Sequence, residues 1–323
     1  MRKLLLLPLA LLAALLAALP FLRPLLEPRK PDADLLRAVY TAPLPAPTDP
    51  MRVFHLGHSL VGRDMPAMLA QLADAGIGPG HGYESQLGWG TSLNEHWQGG
   101  EAIKGFAVEN DHPRYRDAHE AIGSGQYDAV ILTEMVEIRD AIRYHDSARA
   151  LHRWADLARK ASPETRLYLY ESWHRLDDAD GWLNRLDTDL AAYWEGKLTL
   201  PELAMAEDME RPVRIIPAGQ VMAAFSRAVE AAGGVGNVKD RESLFARDDQ
   251  GALDPIHVSD LGAYLVALTH YAVLYQRTPE GLPHRLIRAD GTSADAPDPQ
   301  AAALMQRLVW EVVTAYPKTG VAR

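Results

Sequence analysis

Two short stretches, far apart in the chain, hold the residue types that nucleophilic acyl chemistry requires. The first is Phe54-His55-Leu56-Gly57-His58-Ser59-Leu60, a Gly-x-Ser where a β-rich run breaks. The second is Leu253-Asp254-Pro255-Ile256-His257-Val258-Ser259-Asp260-Leu261-Gly262. A serine hydroxyl is a weak nucleophile until a base takes its proton, and the imidazole that does so needs a carboxylate to fix its tautomer. Asp254 and His257, three apart in a loop just before a helix, supply both groups from one segment. Either stretch alone has a plainer reading, Ser59 as a loop or N-cap serine and His257 as a capping or core histidine. Their joint occurrence points to a triad. The chain has no cysteine, which excludes disulfides, thiolate zinc sites and a Cys nucleophile.

The intervening sequence reads as the frame for such a site. Val53–Leu56, Tyr83–Leu87, Tyr127–Leu132, Arg166–Tyr170 and Val213–Ile216 read as strands, Tyr127–Leu132 the most apolar, and helical periodicity follows at 65–75, 148–158 and 221–232. Strands alternating with helices imply an α/β fold, a doubly wound parallel sheet of about five strands. Further helices are expected at Ser259–Tyr275 and Pro299–Tyr316, and the carboxylate-rich stretch 187–211 reads as an insertion over one edge. Sites in open parallel sheets lie at the carboxyl ends of the strands. The residues there are His58 and Ser59, then Trp89-Gly90-Thr91, Thr133-Glu134, Glu171-Ser172-Trp173-His174, and Gly219-Gln220. A helix following Ser59 would aim its N-terminal amides at the developing oxyanion.

A Gly-x-Ser closing the first strand, with Asp-x-x-His just before a C-terminal helix, resembles the SGNH (GDSL-like) hydrolase superfamily over most of 52–275. The resemblance implies a three-layer α/β sandwich with Ser59 as nucleophile, His257 as base and Asp254 as its orienting partner. It also implies an oxyanion hole that uses the amides of Ser59 and Gly90, with Gly88 as the fallback. The family's third block carries Gly-x-Asn-Asp, whereas this chain reads Ile131-Leu132-Thr133-Glu134. Loss of that Asn donor costs on the order of 3 kcal/mol of transition-state stabilisation unless Thr133, the Ser59 amide or Gln220 compensates. Glu134 is then free to bind a substrate hydroxyl or hold His58. Trp89 and His174, an aromatic and an imidazole at strand ends, are the other expected substrate contacts.

The remaining expectations concern location and partners. Arg2 and Lys3 precede an apolar run from Leu4 to Leu22, about the length that a bilayer core needs. A signal peptide and an uncleaved anchor both fit, and Leu19-Pro20-Phe21-Leu22 in place of a small-x-small site favours the anchor, with the rest of the chain exported to the periplasm or another extracytoplasmic space. Segment 24–50 carries seven prolines and little periodicity apart from a short amphipathic patch around Leu35, Leu36, Val39 and Tyr40, and reads as a spacer, followed by a hydrolase domain over 51–317 and a tail over 318–323. A net charge of −10 without a basic stripe argues against nucleic acid as a partner. Twelve histidines include no His-Glu-x-x-His or similar ligand pair, so neither a metal nor a cofactor is expected. The function expected is cleavage of a small acyl ester, such as an O-acetyl group on envelope or extracellular carbohydrate. The alternatives are an O-acyltransferase with the same triad and a weakly active, tethered carbohydrate-binding protein.

Overall fold

A computed structural model describes residues 33–322. The signal or anchor expected at 1–23, and the first part of the spacer, lie outside the described residues. No helix among those described is long and apolar enough to cross a membrane.

The chain builds a five-stranded parallel sheet from β1 (Arg52–His58), β2 (Gly82–Gly88), β3 (Ala129–Leu132), β4 (Arg166–Glu171) and β5 (Arg214–Pro217), in the order β2-β1-β3-β4-β5. The order reverses beside β1, the switch point at which open α/β sheets form their clefts. Successive strand residues face opposite sides, and both sides are buried. Val53, Ala129, Ile131, Tyr168 and Tyr170 enter one core, while Phe54, Leu56, Val130, Leu132 and Leu169 enter the other.

Helices cover both faces. A short α1 (Ala33–Ala38) leads in, followed after β1 by α2 (Asp64–Gly76) and after β2 by α3 (Leu93–Gln98), α4 (Phe106–Glu109) and α5 (Ala118–Gly123). Between β3 and β4 come α6 (Ile138–Tyr144) and α7 (Ser147–Ala161); between β4 and β5 come α8 (Trp182–Asp189), a π-helical stretch Leu190–Thr199 and α9 (Leu200–Met205). The last elements are α10 (Ala218–Ala231), a two-stranded antiparallel unit of β6 (Phe245–Arg247) and β7 (Leu253–Val258), α11 (Asp260–Tyr275) and α12 (Pro299–Ala315). Helix α11 is buried from Gly262 to Tyr275, which its apolar sequence requires.

Three local readings change. Asp254 and His257 stand on strand β7, not in a loop, and β6 pairs with that strand. The 33–50 part of the expected spacer is seated on the domain. Leu36 and Tyr40 are buried against Leu203, and the Pro45 carbonyl accepts hydrogen bonds from Arg166 and Gln276. The tail is likewise anchored through buried Lys318, Thr319 and Val321. Stretch 187–211 is helical through Met205, and Trp194 and Leu198 within it enter the second core.

Candidate active site

Parallel register sets which loops meet. His58 at the end of β1 lies opposite Gly88 of β2, and Leu56 lies opposite Leu132 of β3. The segments bearing Ser59, Gly90 and Thr133 therefore leave the sheet side by side. Gly57 is obligatory at this edge, because a Cβ there would stand 2.8 Å from both Thr133 Cβ and Val61 Cγ2. The turn after it closes on itself. Val61 N and Gly62 N both donate to the His58 carbonyl, at 2.9 and 3.3 Å, with Gly62 at a φ of +59°. Helix α2 begins only at Asp64, so a turn, and not a helix N-terminus, presents Ser59.

Two neutral histidines fix the backbone beneath the serine. Burial lowers His58 to about 4 and His96 to about 3, against the weaker opposing pull of the carbonyls they meet. His58 Nδ1 accepts from Leu60 N, which leaves Nε2–H to donate to the Glu134 carbonyl at 2.9 Å. His96 Nδ1 accepts from Gln86, and its Nε2–H donates to the Gly57 carbonyl at 2.7 Å. His96 was not singled out in the sequence. Its signal was the capping box Ser92-x-x-Glu95, in which Glu95 N reaches Ser92 Oγ and Ser92 N reaches Glu95 Oε2.

The second stretch arrives from β7. His257 Nε2 lies 2.9 Å from Ser59 Oγ, and His257 Nδ1 lies 2.7 Å from Asp254 Oδ2. With Nδ1–H donating to the carboxylate, Nε2 carries the lone pair that faces the serine hydroxyl. Asp254 uses its other oxygen to accept from Ile256 N and His257 N, at 2.9 and 3.0 Å. Partial burial pushes its carboxyl up, but those amides and the imidazole outweigh it and hold the group below the usual carboxylate range. The β7 turn is itself tied to the segment after β4. Trp173 Nε1–H donates to the Ile256 carbonyl and Leu176 N to the Pro255 carbonyl, both at 2.7 Å.

The other expected site residues are distributed differently. Gly90 stands at φ +54° with nothing within 4 Å of a Cβ position, so that side of the turn is open. Trp89 is 52% exposed and donates to Glu109 at 2.7 Å. Glu134 is fully buried, with Oε1 accepting from Leu93 N and Met135 N; its carbonyl, not its side chain, holds His58. His174 is buried and lines a small cavity with Glu137, Glu171 and Asp189, away from the residues that line the Ser59 pocket. Of the donors considered for the missing Asn, Gln220 is engaged by Glu171 and the Leu186 carbonyl, and Thr133 is buried against Gly57.

Ser59 and His257 line a pocket of about 110 Å³ that shares Gly62, Arg63 and Asp64 with a larger cleft of about 750 Å³. Tyr83, Pro66 and Val108 give the cleft apolar surface, while Arg63, Arg114, Glu109 and Asp290 bring charges of both signs. Arg63 is fixed there by the carbonyls of Val108 and Glu109, at 2.5 and 3.1 Å. Among the described residues no group of three His, Asp or Glu side chains converges as a metal site would need.

No protein-family model matches the chain, and no curated protein matches it. Among solved structures, a Parabacteroides merdae protein described as a GDSL-like lipase is similar at 13% identity and a TM-score of 0.40. The likeness covers 71% of this chain and 96% of that one.

Proposed function

We propose that the chain is a serine hydrolase of the SGNH (GDSL-like) type that cleaves a small acyl ester through an acyl-enzyme on Ser59. The observation that carries this reading is the unbroken relay from Ser59 Oγ to His257 Nε2 at 2.9 Å and from His257 Nδ1 to Asp254 Oδ2 at 2.7 Å. In the first step Ser59 Oγ attacks the ester carbonyl while His257 takes its proton, and Asp254 stabilises the imidazolium. His257 then returns the proton to the departing alkoxide. Water, deprotonated by the same imidazole, attacks the acyl-enzyme and frees Ser59. The amides of Gly90 and Ser59 are the proposed oxyanion donors, since Gln220, Thr133 and Glu134 are otherwise occupied or buried.

The pocket of about 110 Å³ beside Ser59 suits a small acyl group such as acetyl, and the adjoining cleft of about 750 Å³ has room for the alcohol portion. Charges of both signs on its walls suit a polar, hydroxyl-rich alcohol such as a carbohydrate better than a long alkyl chain. A sugar hydroxyl held there instead of water would make the same relay an O-acyltransferase. The flanked apolar run from Leu4 to Leu22 supports export with an N-terminal membrane anchor.

The test is acetate release from p-nitrophenyl acetate and from acetylated oligosaccharides, with Ser59→Ala as control. Release that disappears in Ser59→Ala is expected; equal release from both proteins would sink the proposal. Product analysis with an added sugar acceptor separates hydrolysis from transfer.

A further inference from the structure

The opposite end of the sheet carries a second polar assembly that the acyl chemistry does not use. Strand β4 opens on Arg166 and β5 on Arg214, with Tyr168 directly across from Arg214 in the parallel register. Residues two apart on a strand share a face, and so do residues paired across strands, so these three side chains leave the sheet on one side. Arg214 is 4% exposed and Tyr168 is fully buried.

Their hydrogen bonding is incomplete. Arg166 gives one N–H to the Pro45 carbonyl at 2.7 Å, and Arg214 gives one to the Ala42 carbonyl at 2.8 Å. The Nη1 groups of both arginines are buried with no partner at hydrogen-bond distance, and the buried Tyr168 hydroxyl faces Arg166. No carboxylate among the described residues forms an ion pair with either arginine. Two guanidinium charges thus share a site without an acid. Burial pulls the Arg214 guanidinium below its ordinary value; the phenols of Tyr168 and Tyr40 oppose it, and the neighbouring Arg166 charge adds a smaller pull downward. An unpaired buried charge is among the costliest features a fold can hold, and a second charge of like sign beside it worsens the cost.

Both arginines line a cavity of about 230 Å³, together with Leu44, Pro45, Pro163 and Arg211. Arg211 is already engaged by Asp208 and by the carbonyls of Ser162 and Pro163. Glu164 and Glu210 also line the cavity, but both are exposed. We propose that this cavity binds a small oxyanion of the phosphate or sulfate kind, with Arg166 and Arg214, which both line it, as its charged donors. Arginine forks match such oxyanions in geometry as well as charge. The same two arginines hold the carbonyls of Ala42 and Pro45. A bound oxyanion would therefore pin the segment leading into β1 against the strands, stabilising the fold without touching Ser59.

The experiment titrates the full chain with inorganic phosphate, and separately with sulfate, at an ionic strength held constant with chloride. Binding is read by calorimetry and by the thermal midpoint. Saturable binding of one anion per chain is expected, with a midpoint rise of about 4 °C once the anion exceeds its Kd about a hundredfold. Proteolytic cleavage between 33 and 50 should slow in parallel. Arg166→Gln, at a partly exposed position, should weaken binding at least about tenfold while leaving ester cleavage unchanged. If that variant fails to fold, Arg166→Lys, which keeps the charge but loses the fork, should bind several-fold more weakly than wild type. Phosphate or sulfate effects no larger than those of chloride would overturn the proposal. So would wild-type affinity in whichever Arg166 variant folds.

Discussion

Replacing Asp254 by Asn separates the carboxylate's chemical role from its structural one. Oδ1 accepts from the amides of Ile256 and His257, and an Asn carbonyl oxygen can take over both bonds. Oδ2 faces His257 Nδ1 at 2.7 Å, and there Asn would present an N–H. Two donors cannot share that contact, so the imidazole must move its proton to Nε2. The atom facing Ser59 Oγ then has no lone pair with which to take the serine proton. Where such a change leaves geometry intact, kcat falls about 10⁴-fold, equivalent to about 5.4 kcal/mol of barrier. Here the Asp254 and His257 side chains are 35% and 45% exposed, so solvent can partly replace the carboxylate. The expected loss in kcat for p-nitrophenyl acetate is therefore smaller than that, about 10³-fold, with the thermal midpoint within about 2 °C of wild type. A loss below about tenfold in protein that melts normally would refute the assignment of Asp254 as the orienting carboxylate.

Trp173→Phe keeps the ring but removes the donor to the Ile256 carbonyl; a destabilisation of about 1–3 kcal/mol in urea melts and a fall in kcat larger than any rise in KM are expected, because the β7 turn that bears His257 loses a tie. Thr133→Val replaces a buried hydroxyl that has no partner, so kcat/KM should stay within about threefold and stability should not fall; a large loss would restore Thr133 as an oxyanion donor. Glu171 is raised to about 8, chiefly by burial, with Asp189 adding and the donors at Gln220 and Gly219 opposing. Its folded form holds a proton more tightly than the unfolded chain, so its contribution to stability is complete below the ordinary carboxylate range and is lost as pH rises through about 8. Glu171→Gln should therefore flatten the decline in thermal midpoint between pH 6 and 9, and an unchanged slope would count against it.

The five strands were legible because short β-prone runs followed by breaks alternate with helical periodicity; with both faces of the sheet buried, the central strand β3 is apolar throughout and does not alternate. Ser59, Asp254 and His257 were legible as chemistry-bearing residues, since Gly-x-Ser and Asp-x-x-His are local patterns. What hid β7 was Pro255, which removes an N–H and argues against a strand in any single sequence. Prolines also disguised 33–50 as a spacer. The amphipathic patch that holds Leu36 and Tyr40 was visible, but its partner Leu203 lies more than 160 residues away in the sequence and no local pattern names it. Glu134 and His174 follow strand ends, as substrate contacts would, yet both side chains turn inward. Polarity after a strand marks the edge of the sheet, and tertiary packing decides which way each side chain points. His96 shows the converse, a buried imidazole that supports the Gly57 carbonyl from a helix whose capping box was visible but whose direction was not.

The most direct measurement is the rate at which a fluorophosphonate labels the folded full chain, with the adduct located by peptide mapping. A single adduct on Ser59 is expected, absent in Ser59→Ala and formed at least about a hundredfold more slowly in His257→Ala. No labelling of folded protein, or labelling of Ser59 at an unchanged rate in His257→Ala, would contradict a nucleophile activated through His257.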